Sequence, residues 1–204
     1  MSRTCELYLR LGGDDLPAPE RLEDIVRAAM PAAILIGKSL LEKLGNKNRL
    51  EALVNLIKRQ NLAVLFEDNA ALAAKLKADG AHLTGGAADV KEARELLGED
   101  AYIGASSPLS RHEVMVLGEA GASYVAFGAD GGTDAARFDA LVEMTEWWGG
   151  IIELPCAIWL DADADETQMR TLIEAGADYL APEMTVETDL DRLAHIAELM
   201  KSTG

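Results

Sequence analysis

Acidic side chains occupy many of the positions at which this sequence could do chemistry. Glu67 and Asp68 directly follow the apolar run Ala63–Phe66, and Asp89 lies in the segment after the apolar run Ala81–Leu83. A hard cation such as Mg²⁺ prefers a few carboxylates, completed by water and substrate oxygens. These three side chains are therefore candidate ligands of Mg²⁺. The alternative is that they cap helices and interact with solvent.

Four further side chains are candidates for catalysis or substrate binding. Apart from arginines at two predicted helix starts, Lys38 is the only strongly basic residue that the sequence places near the end of an apolar run. His82 lies within such a run, where a lone histidine is more often a hydrogen-bonded core residue than a catalyst. Ser106 and Ser107 offer hydroxyls to a ligand. No Ser/His/Asp order or nucleophile elbow surrounds them, so the sequence does not support nucleophilic catalysis.

A glycine-rich loop at Gly128–Asp134 is a candidate anion-binding segment. It precedes a predicted helix, and backbone N–H groups in that setting often bind phosphate. Gly131, Gly132 and Thr133 are therefore candidate substrate-binding residues. Two aspartates in the same loop oppose an anion, so a plain surface loop is the alternative.

Short apolar segments rich in β-branched and aromatic residues alternate with longer amphipathic segments, and they do so eight times. Such repeats imply parallel strands, and closing eight of them predicts a (β/α)8 barrel, with an open doubly wound sheet as the alternative. Chemistry in a barrel lies at the C-terminal ends of the strands. The predicted strands are Cys5–Leu11, Ala33–Ile36, Ala63–Phe66, Ala81–Leu83, Tyr102–Gly104, Tyr124–Phe127, Ala157–Leu160 and Tyr179–Ala181. The predicted helices are Pro19–Met30, Asn48–Gln60, Ala70–Ala78, Val90–Leu97, Arg111–Ala120, Ala135–Trp148, Glu166–Ala175 and Leu190–Lys201.

Capping residues and glycines mark the boundaries of the predicted helices. Pairs with the spacing of a capping box, or a close variant, predict helix starts. Glycines after amphipathic segments predict helix ends, because glycine readily adopts the positive φ found there. The capping pairs are Asp89 with Glu92, Ser110 with Glu113, and Asp165 with Gln168. The glycines are Gly80, Gly98, Gly121 and Gly176.

Composition and charge exclude several classes of partner. The chain has 204 residues and no Pro/Gly/Ser-rich linker, so we expect one domain over residues 1–204. A net charge of −16 opposes binding to nucleic acid or to an anionic membrane surface. Cys5 and Cys156 lie in apolar runs, and the polar start has no signal-peptide pattern, which favours a reduced, cytoplasmic protein. The expected partner is a small-molecule ligand, and the oligomeric state stays open.

Four segments in the middle of the chain resemble a known enzyme family. They are Leu62–Asn69, Ala78–Leu83, Tyr102–Ser106 and Glu119–Val125, and the similarity extends over Leu62–Gly128. The family is that of thiamine-phosphate synthase and its relative, thiazole tautomerase. The resemblance implies a (β/α)8 barrel that joins a pyrimidine diphosphate to a thiazole phosphate and releases pyrophosphate, with Mg²⁺ as cofactor.

The resemblance also implies roles for individual residues. Asp68 matches an aspartate that holds Mg²⁺ after the third strand, and Asp89 stands for a second aspartate after the fourth. Lys38 is what remains of a basic set after the second strand. Ser106 matches the serine of the fifth strand, and His82 matches the histidine of the fourth.

The chain departs from the family pattern at groups that bind phosphate. Asn69 replaces an arginine, and the loop after the sixth strand lacks the lysine of the family. Asp161-Ala162-Asp163 replaces a glycine pair after the seventh strand, and Glu183 faces it from the eighth. Each lost hydrogen bond to a charged group costs about 1.5–3 kcal/mol, and the introduced carboxylates add repulsion.

These departures favour a diverged family member that has lost or altered the synthase reaction and acts as a small-ligand-binding or partner protein. The first alternative is an active thiamine-phosphate synthase, with Mg²⁺ on Asp68 and Asp89 and with Lys38 and Ser106 at the pyrophosphate. The second alternative is a barrel isomerase that acts on a non-phosphorylated ligand.

Overall fold

The alternating segments fold into a barrel of parallel strands, in which each strand pairs with its neighbours in chain order and the last pairs with the first. The computed structural model describes residues 4–13, 15–44, 47–128, 135–160, 164–185 and 187–202. Within these ranges the strands are β1 (Glu6–Leu11), β2 (Ala33–Ile36), β3 (Ala63–Glu67), β4 (Gly80–Leu83), β5 (Tyr102–Ser106), β6 (Tyr124–Phe127), β7 (Cys156–Leu160) and β8 (Tyr179–Met184). The predicted (β/α)8 barrel is confirmed, and the open doubly wound sheet is excluded.

Helices connect the strands around the outside of the barrel. Within the same ranges they are α1 (Pro19–Ala29), α2 (Lys38–Leu44), α3 (Lys47–Arg59), α4 (Ala70–Leu76), α5 (Ala87–Leu97), α6 (Arg111–Glu119), α7 (Ala135–Ile151), α8 (Glu166–Glu174) and α9 (Leu190–Ser202). The sequence predicted one helix between β2 and β3, whereas the structure has two there. The missed helix α2 begins directly after β2 and buries Leu40, Leu41 and Leu44, so it positions Lys38 at its first turn.

The two faces of each strand pack into two separate cores. One face packs against the helices in a shell that includes Leu9, Val64 and Ile158. The other face fills the barrel interior, with a cluster made of Tyr8, Leu35, Leu65, Tyr124, Ala126, Ala157, Trp159 and Ala181. Because side chains alternate along a strand, polar residues two positions further along, such as Arg10 and Glu67, continue this interior face toward the C-terminal end.

The capping predictions are confirmed for two helices and wrong for one. Asp165 and Gln168 form a full capping box at the start of α8, and the Ser110 side chain caps α6. Asp89 lies instead within the first turn of α5, which begins after Gly86. An acidic side chain in a first turn still interacts favourably with the helix dipole.

Of the four glycines predicted to end helices, three do so and one does not. Gly98, Gly121 and Gly176 follow their helices with φ of 86°, 99° and 101°, as expected. Gly80 is the first residue of β4 instead, where a Cβ would collide with the carbonyl oxygen of Tyr102. This glycine therefore permits the close approach of β4 and β5 and does not end a helix.

Two observations bear on the class of protein. Cys5 and Cys156 are both buried and not joined in a disulfide, and burial, followed by nearby negative charge, raises the pKa of Cys5 to about 12. The Cys5 thiol therefore stays protonated near neutral pH. None of the helices in the described ranges has both the length and the apolar character needed to cross a bilayer.

Candidate active site

Four charged side chains alternate in sign at the C-terminal ends of the first three strands, which we call the mouth of the barrel. Nη2 of Arg10 in β1 lies 3.7 Å from Oε1 of Glu67, the last residue of β3. The backbone N–H of Lys38 donates to Oε2 of Glu67 at 2.8 Å, and Lys38 Nζ lies 3.6 Å from Oδ2 of Asp68. Arg10, Lys38, Glu67 and Asp68 form the mouth cluster, and all four side chains are partly exposed to an incoming ligand.

The backbone around Asp68 fixes the direction of its carboxylate. Asp68 adopts a left-handed φ of 48° directly after β3, and its N–H donates to the carbonyl of His82 at 2.8 Å. Thr84 donates its backbone N–H to Oδ1 and its hydroxyl to Oδ2, both at 2.8 Å. Because two donors of the loop after β4 hold the carboxylate, little side-chain entropy remains to be lost when Asp68 binds a ligand.

Asp68 and Asp89 are carboxylates of the kind that Mg²⁺ accepts when a substrate supplies further oxygens. Asp89 folds its carboxylate back over Gly85, in the same loop whose Thr84 holds Asp68. No group of three or more His, Cys, Asp or Glu side chains in the described residues is arranged to enclose a metal. Mg²⁺ usually takes one or two carboxylates together with substrate phosphates, which two aspartates can provide. Glu67 instead turns both carboxylate oxygens toward the basic residues of the mouth cluster.

Arg10 was missed by the sequence analysis, and it changes the charge at the mouth. Its guanidinium lies over the ring of Trp159 in β7, 4.7 Å from the ring centroid. Stacking and the nearby carboxylate of Glu67 hold the planar guanidinium in place, and a guanidinium has five donors suited to phosphate. The expectation that Lys38 is the only basic residue near a strand end is therefore wrong. The available signal was the alternation that puts Arg10 on the interior face with Tyr8.

A chain of hydrogen bonds runs through the barrel interior and ends at the mouth. The hydroxyls of Tyr8 and Tyr124 are 2.7 Å apart, and the Tyr124 hydroxyl lies 2.9 Å from Nδ1 of His82. Nε2 of His82 lies 2.8 Å from Oγ of Ser106, the last residue of β5. The indole N–H of Trp159 also donates to Ser106 at 3.3 Å. We call Tyr8, Tyr124, His82 and Ser106 the interior chain.

His82 is neutral and sets the direction of this chain. Burial, and then the charge of Arg10, lower its pKa to about 3, and a neutral imidazole has one donor and one acceptor nitrogen. When Nε2 carries the hydrogen, Ser106 accepts from His82 and Trp159, and its own hydroxyl is left to donate at the mouth. When Nδ1 carries the hydrogen, Ser106 donates to Nε2 of His82, and His82 donates to Tyr124. Tyr124 then donates to Tyr8, whose hydroxyl hydrogen is the one left over. His82 itself is fully buried, and Ser106 connects it to the mouth.

The remaining predicted site residues lie apart from these groups or beyond the described ranges. Ser107 is buried, and its hydroxyl donates to the Pro108 carbonyl at 2.8 Å. Asn69, where the family has an arginine, accepts from the N–H of Leu72 as the cap of α4. The residues outside the described ranges are Gly131, Gly132, Thr133, Asp161 and Asp163.

Comparison of the sequence with known proteins finds one family along most of the chain. A sequence model described as "Thiamine monophosphate synthase" matches residues 13–186. A thiamine-phosphate synthase from Erythrobacter litoralis is 44% identical over 140 residues, which cover 66% of this chain and 64% of that protein. Another, from Rhodospirillum centenum, is 38% identical over 133 residues, which cover 64% and 63%. In these two matches the chain therefore spans slightly less than two thirds of the length of the relative.

Comparison of the fold agrees with the sequence match. The barrel superposes on a thiamine phosphate pyrophosphorylase from Pyrococcus furiosus with a TM-score of 0.75, over 99% of this chain and 98% of that one. The two sequences are 17% identical, so this similarity shows the fold alone. The family assignment rests on the match over residues 13–186, and on that match this chain belongs to the thiamine-phosphate synthase family.

Proposed function

We propose that this chain is an active thiamine-phosphate synthase, which joins a pyrimidine diphosphate to a thiazole phosphate and releases pyrophosphate. The observation that carries the proposal is the mouth cluster, in which Arg10 and Lys38 stand among carboxylates at the strand ends where barrel enzymes do their chemistry. The names of the matched relatives support the same activity. Since those matches span less than two thirds of the relatives, the activity and substrates of the whole protein belong to the proposal.

The leaving group is the part of this reaction that most needs electrostatic stabilisation. The carbon–oxygen bond to the diphosphate breaks, and pyrophosphate departs with the electron pair of that bond. The carbon that it leaves then bonds to the thiazole ring nitrogen, whose lone pair forms the new bond. Negative charge therefore builds up on the diphosphate oxygens. The Lys38 ammonium and the Arg10 guanidinium are the groups that we assign to those oxygens, with about 1.5–3 kcal/mol for each charge-assisted hydrogen bond.

We assign Mg²⁺ to the two aspartates that follow β3 and β4. Asp68 and Asp89 would hold the ion, and when bound it supplies positive charge against the diphosphate. Asp68 suits this role because Thr84 fixes both of its oxygens while the side chain keeps 21% exposure. Lys38, which pairs with Asp68 at 3.6 Å, is 57% exposed and has the reach to turn its ammonium to the substrate.

Ser106 is assigned to one diphosphate oxygen as a hydroxyl donor. Trp159 and His82 both have an N–H that can donate to the Ser106 oxygen, which leaves the hydroxyl hydrogen free to bind the substrate. His82 is then a positioning residue, because it contacts Ser106 and does not reach the ligand. Ser107, Gly131, Gly132 and Thr133 remain proposed substrate-binding residues of the neighbouring loops.

The mouth cluster favours this synthase over a family member that has lost the reaction. The case for loss depended on the scarcity of basic groups at the strand ends and on the repulsion added by Asp161, Asp163 and Glu183, and Arg10 answers the first of these two points. Arg10 adds a second cation at the mouth, held over the ring of Trp159 and 3.7 Å from Glu67. No observation in the described residues favours an isomerase.

The test is formation of thiamine phosphate by the purified protein. We expect product from the two precursors only when Mg²⁺ is present, and a large loss of rate in Asp68→Asn. Glu51→Gln, an exposed acid on α3, removes one charge away from the mouth and is the matched control. A folded wild-type protein that forms no product above a reaction without enzyme contradicts the proposal.

A further inference from the structure

A cavity of about 450 Å³ opens at the end of the barrel opposite the mouth, where the strands begin. We call it the base cavity. Ala33 and Ala63, at the starts of β2 and β3, are among its walls. Barrel interiors are usually filled by bulky branched side chains, so alanine at these positions leaves space. The volume lies within the range of about 300–1,000 Å³ that small-molecule sites occupy.

All four tyrosines of the chain line this one cavity. Tyr8 and Tyr124 are buried at its inner end, Tyr179 is half-buried, and Tyr102 is 53% exposed at the outer end. The Tyr8 ring packs edge-on against Tyr124 and Tyr179, with ring centroids 5.7 Å and 6.4 Å away. Aromatic rings present negative faces, so a wall of four tyrosines attracts positively charged groups.

Carboxylates accompany the tyrosines, and the described lining contains no Lys, Arg or His. Glu99 and Asp100 line the cavity from the loop between α5 and β5, and both are exposed. Glu6 and Asp178 lie near the same wall, since their charges add to burial in raising the pKa of Tyr179. The potential at the cavity is therefore negative from two sides.

Arg94 is a basic side chain that contacts the loop between α5 and β5, and it donates most of its hydrogen bonds to backbone carbonyls. Arg94 donates to the carbonyls of Glu99 and Ala101 at 3.0 Å and 2.8 Å. Its other donors go to the Gly121 carbonyl and the Ser123 hydroxyl at 2.8 Å and 2.9 Å. Arg94 thus fixes the loop that carries the two rim carboxylates, and its guanidinium donates to five backbone or hydroxyl oxygens, of which the fifth is the carbonyl of Gly98.

We propose that the base cavity is a second binding site, which takes a small organic cation of the alkylammonium class. The tyrosine faces bind the cationic head, and Glu99 and Asp100 supply the opposing charge at the opening. A neutral molecule of the same shape has only the apolar contacts. The site lies at the opposite end of the barrel from the mouth cluster and does not depend on the synthase reaction.

Tyrosine-selective isotope labelling tests the proposal, because every tyrosine signal in the NMR spectrum then reports on the base cavity. Choline is the cationic probe, and 3,3-dimethylbutan-1-ol is its neutral isostere. We expect saturable shifts of the tyrosine ring signals with choline, and binding of the neutral probe that is weaker by about tenfold. A second sample, labelled selectively at phenylalanine, is the control, because none of the three phenylalanines lines the cavity and their signals are expected to stay in place.

Variants separate the contribution of the rings from that of the charges. Tyr102→Leu and the double change Glu99→Gln with Asp100→Asn are each expected to weaken choline binding several-fold. Tyr102→Phe keeps the ring and retains binding, and Glu51→Gln is the charge control. Equal affinity for the two probes, or choline shifts unaffected by both weakening variants, overturns the proposal, as does the absence of any saturable tyrosine shift.

Discussion

The two ends of the barrel are built by the same strands but differ in chemistry. At the mouth, Arg10, Lys38, Glu67 and Asp68 alternate in sign and contact one another within 4 Å. At the base, the corresponding interior positions are tyrosines and small residues around a cavity of about 450 Å³. One strand contributes to both, since Tyr8 and Arg10 of β1 are two residues apart on the interior face.

This difference shows how the fold separates charged side chains from apolar packing. Ion pairs at the mouth are partly solvated, so ligand charge can replace them at small desolvation cost. The layer beneath is buried, and burial keeps the pKa of Tyr8 and Tyr124 above the usual value and that of His82 below it. The interior chain crosses this layer, so the ends are connected by hydrogen bonds and not by charge.

The largest effect on activity is expected when both cations of the mouth cluster are removed. Arg10→Met together with Lys38→Met keeps the apolar stems and removes both cations, which should lower kcat/KM on the order of 10³-fold. Arg59→Met with Lys75→Met removes two exposed cations from the last turns of α3 and α4, away from the mouth, and is the matched control. Steady-state kinetics with both precursors gives the comparison. A loss equal to that of the control pair would show that the mouth cations do not bind the diphosphate.

A second prediction concerns His82, in the buried layer between the two ends. The pKa of His82 is about 3 in the fold against an ordinary value of 6.5, so the unfolded chain takes up the proton first as pH falls. Its contribution to stability is complete above pH 6.5 and is lost progressively toward pH 3. Between pH 6.5 and about pH 5 the free energy of unfolding should fall by about 2 kcal/mol more in the wild type than in His82→Gln.

Urea unfolding at the two pH values measures this difference. The exposed His112→Gln is the control, and it should follow the wild type. Parallel pH dependence of the wild type and His82→Gln would show that His82 is not held neutral by the fold.

The smallest effect is expected for a substitution at the base, which should change stability but not activity. Tyr8→Phe removes one hydroxyl from the interior chain and leaves the Tyr124 hydroxyl with one partner fewer, which should lower the free energy of unfolding by about 1 kcal/mol. Ser106 keeps its contacts to His82 and Trp159, so kcat/KM should stay close to that of the wild type. A loss of activity as large as that of Ser106→Ala would mean that the two ends are strongly coupled.

Much of the fold could be predicted from the sequence because the signals were local. Apolar runs and capping residues predicted the eight strands, and β2 and β6 have the predicted limits. The helix α2 was missed because its seven residues are too few for a clear amphipathic pattern. Asp89 was assigned a cap because the spacing to Glu92 fits a capping box, yet α5 begins after Gly86 and takes Asp89 into its first turn.

The site was less predictable because it depends on contacts between distant strands. Asp68 follows a strand directly, and its exposure at the mouth could be expected from that position. Arg10 lies inside a strand, and only the barrel register brings it to Glu67 and Trp159. The base cavity likewise joins tyrosines from β1, β5, β6 and β8, whose meeting no local pattern reveals.

The central claim is that synthase chemistry resides at the mouth and not at the base. The most direct measurement is the rate of thiamine phosphate formation, with Mg²⁺ and both precursors, by three proteins: the wild type, Arg10→Met with Lys38→Met, and Glu99→Gln with Asp100→Asn. We predict product from the wild type and the base variant at similar rates, and almost none from the mouth variant. No product from the folded wild type, or equal rates in all three, would contradict the account.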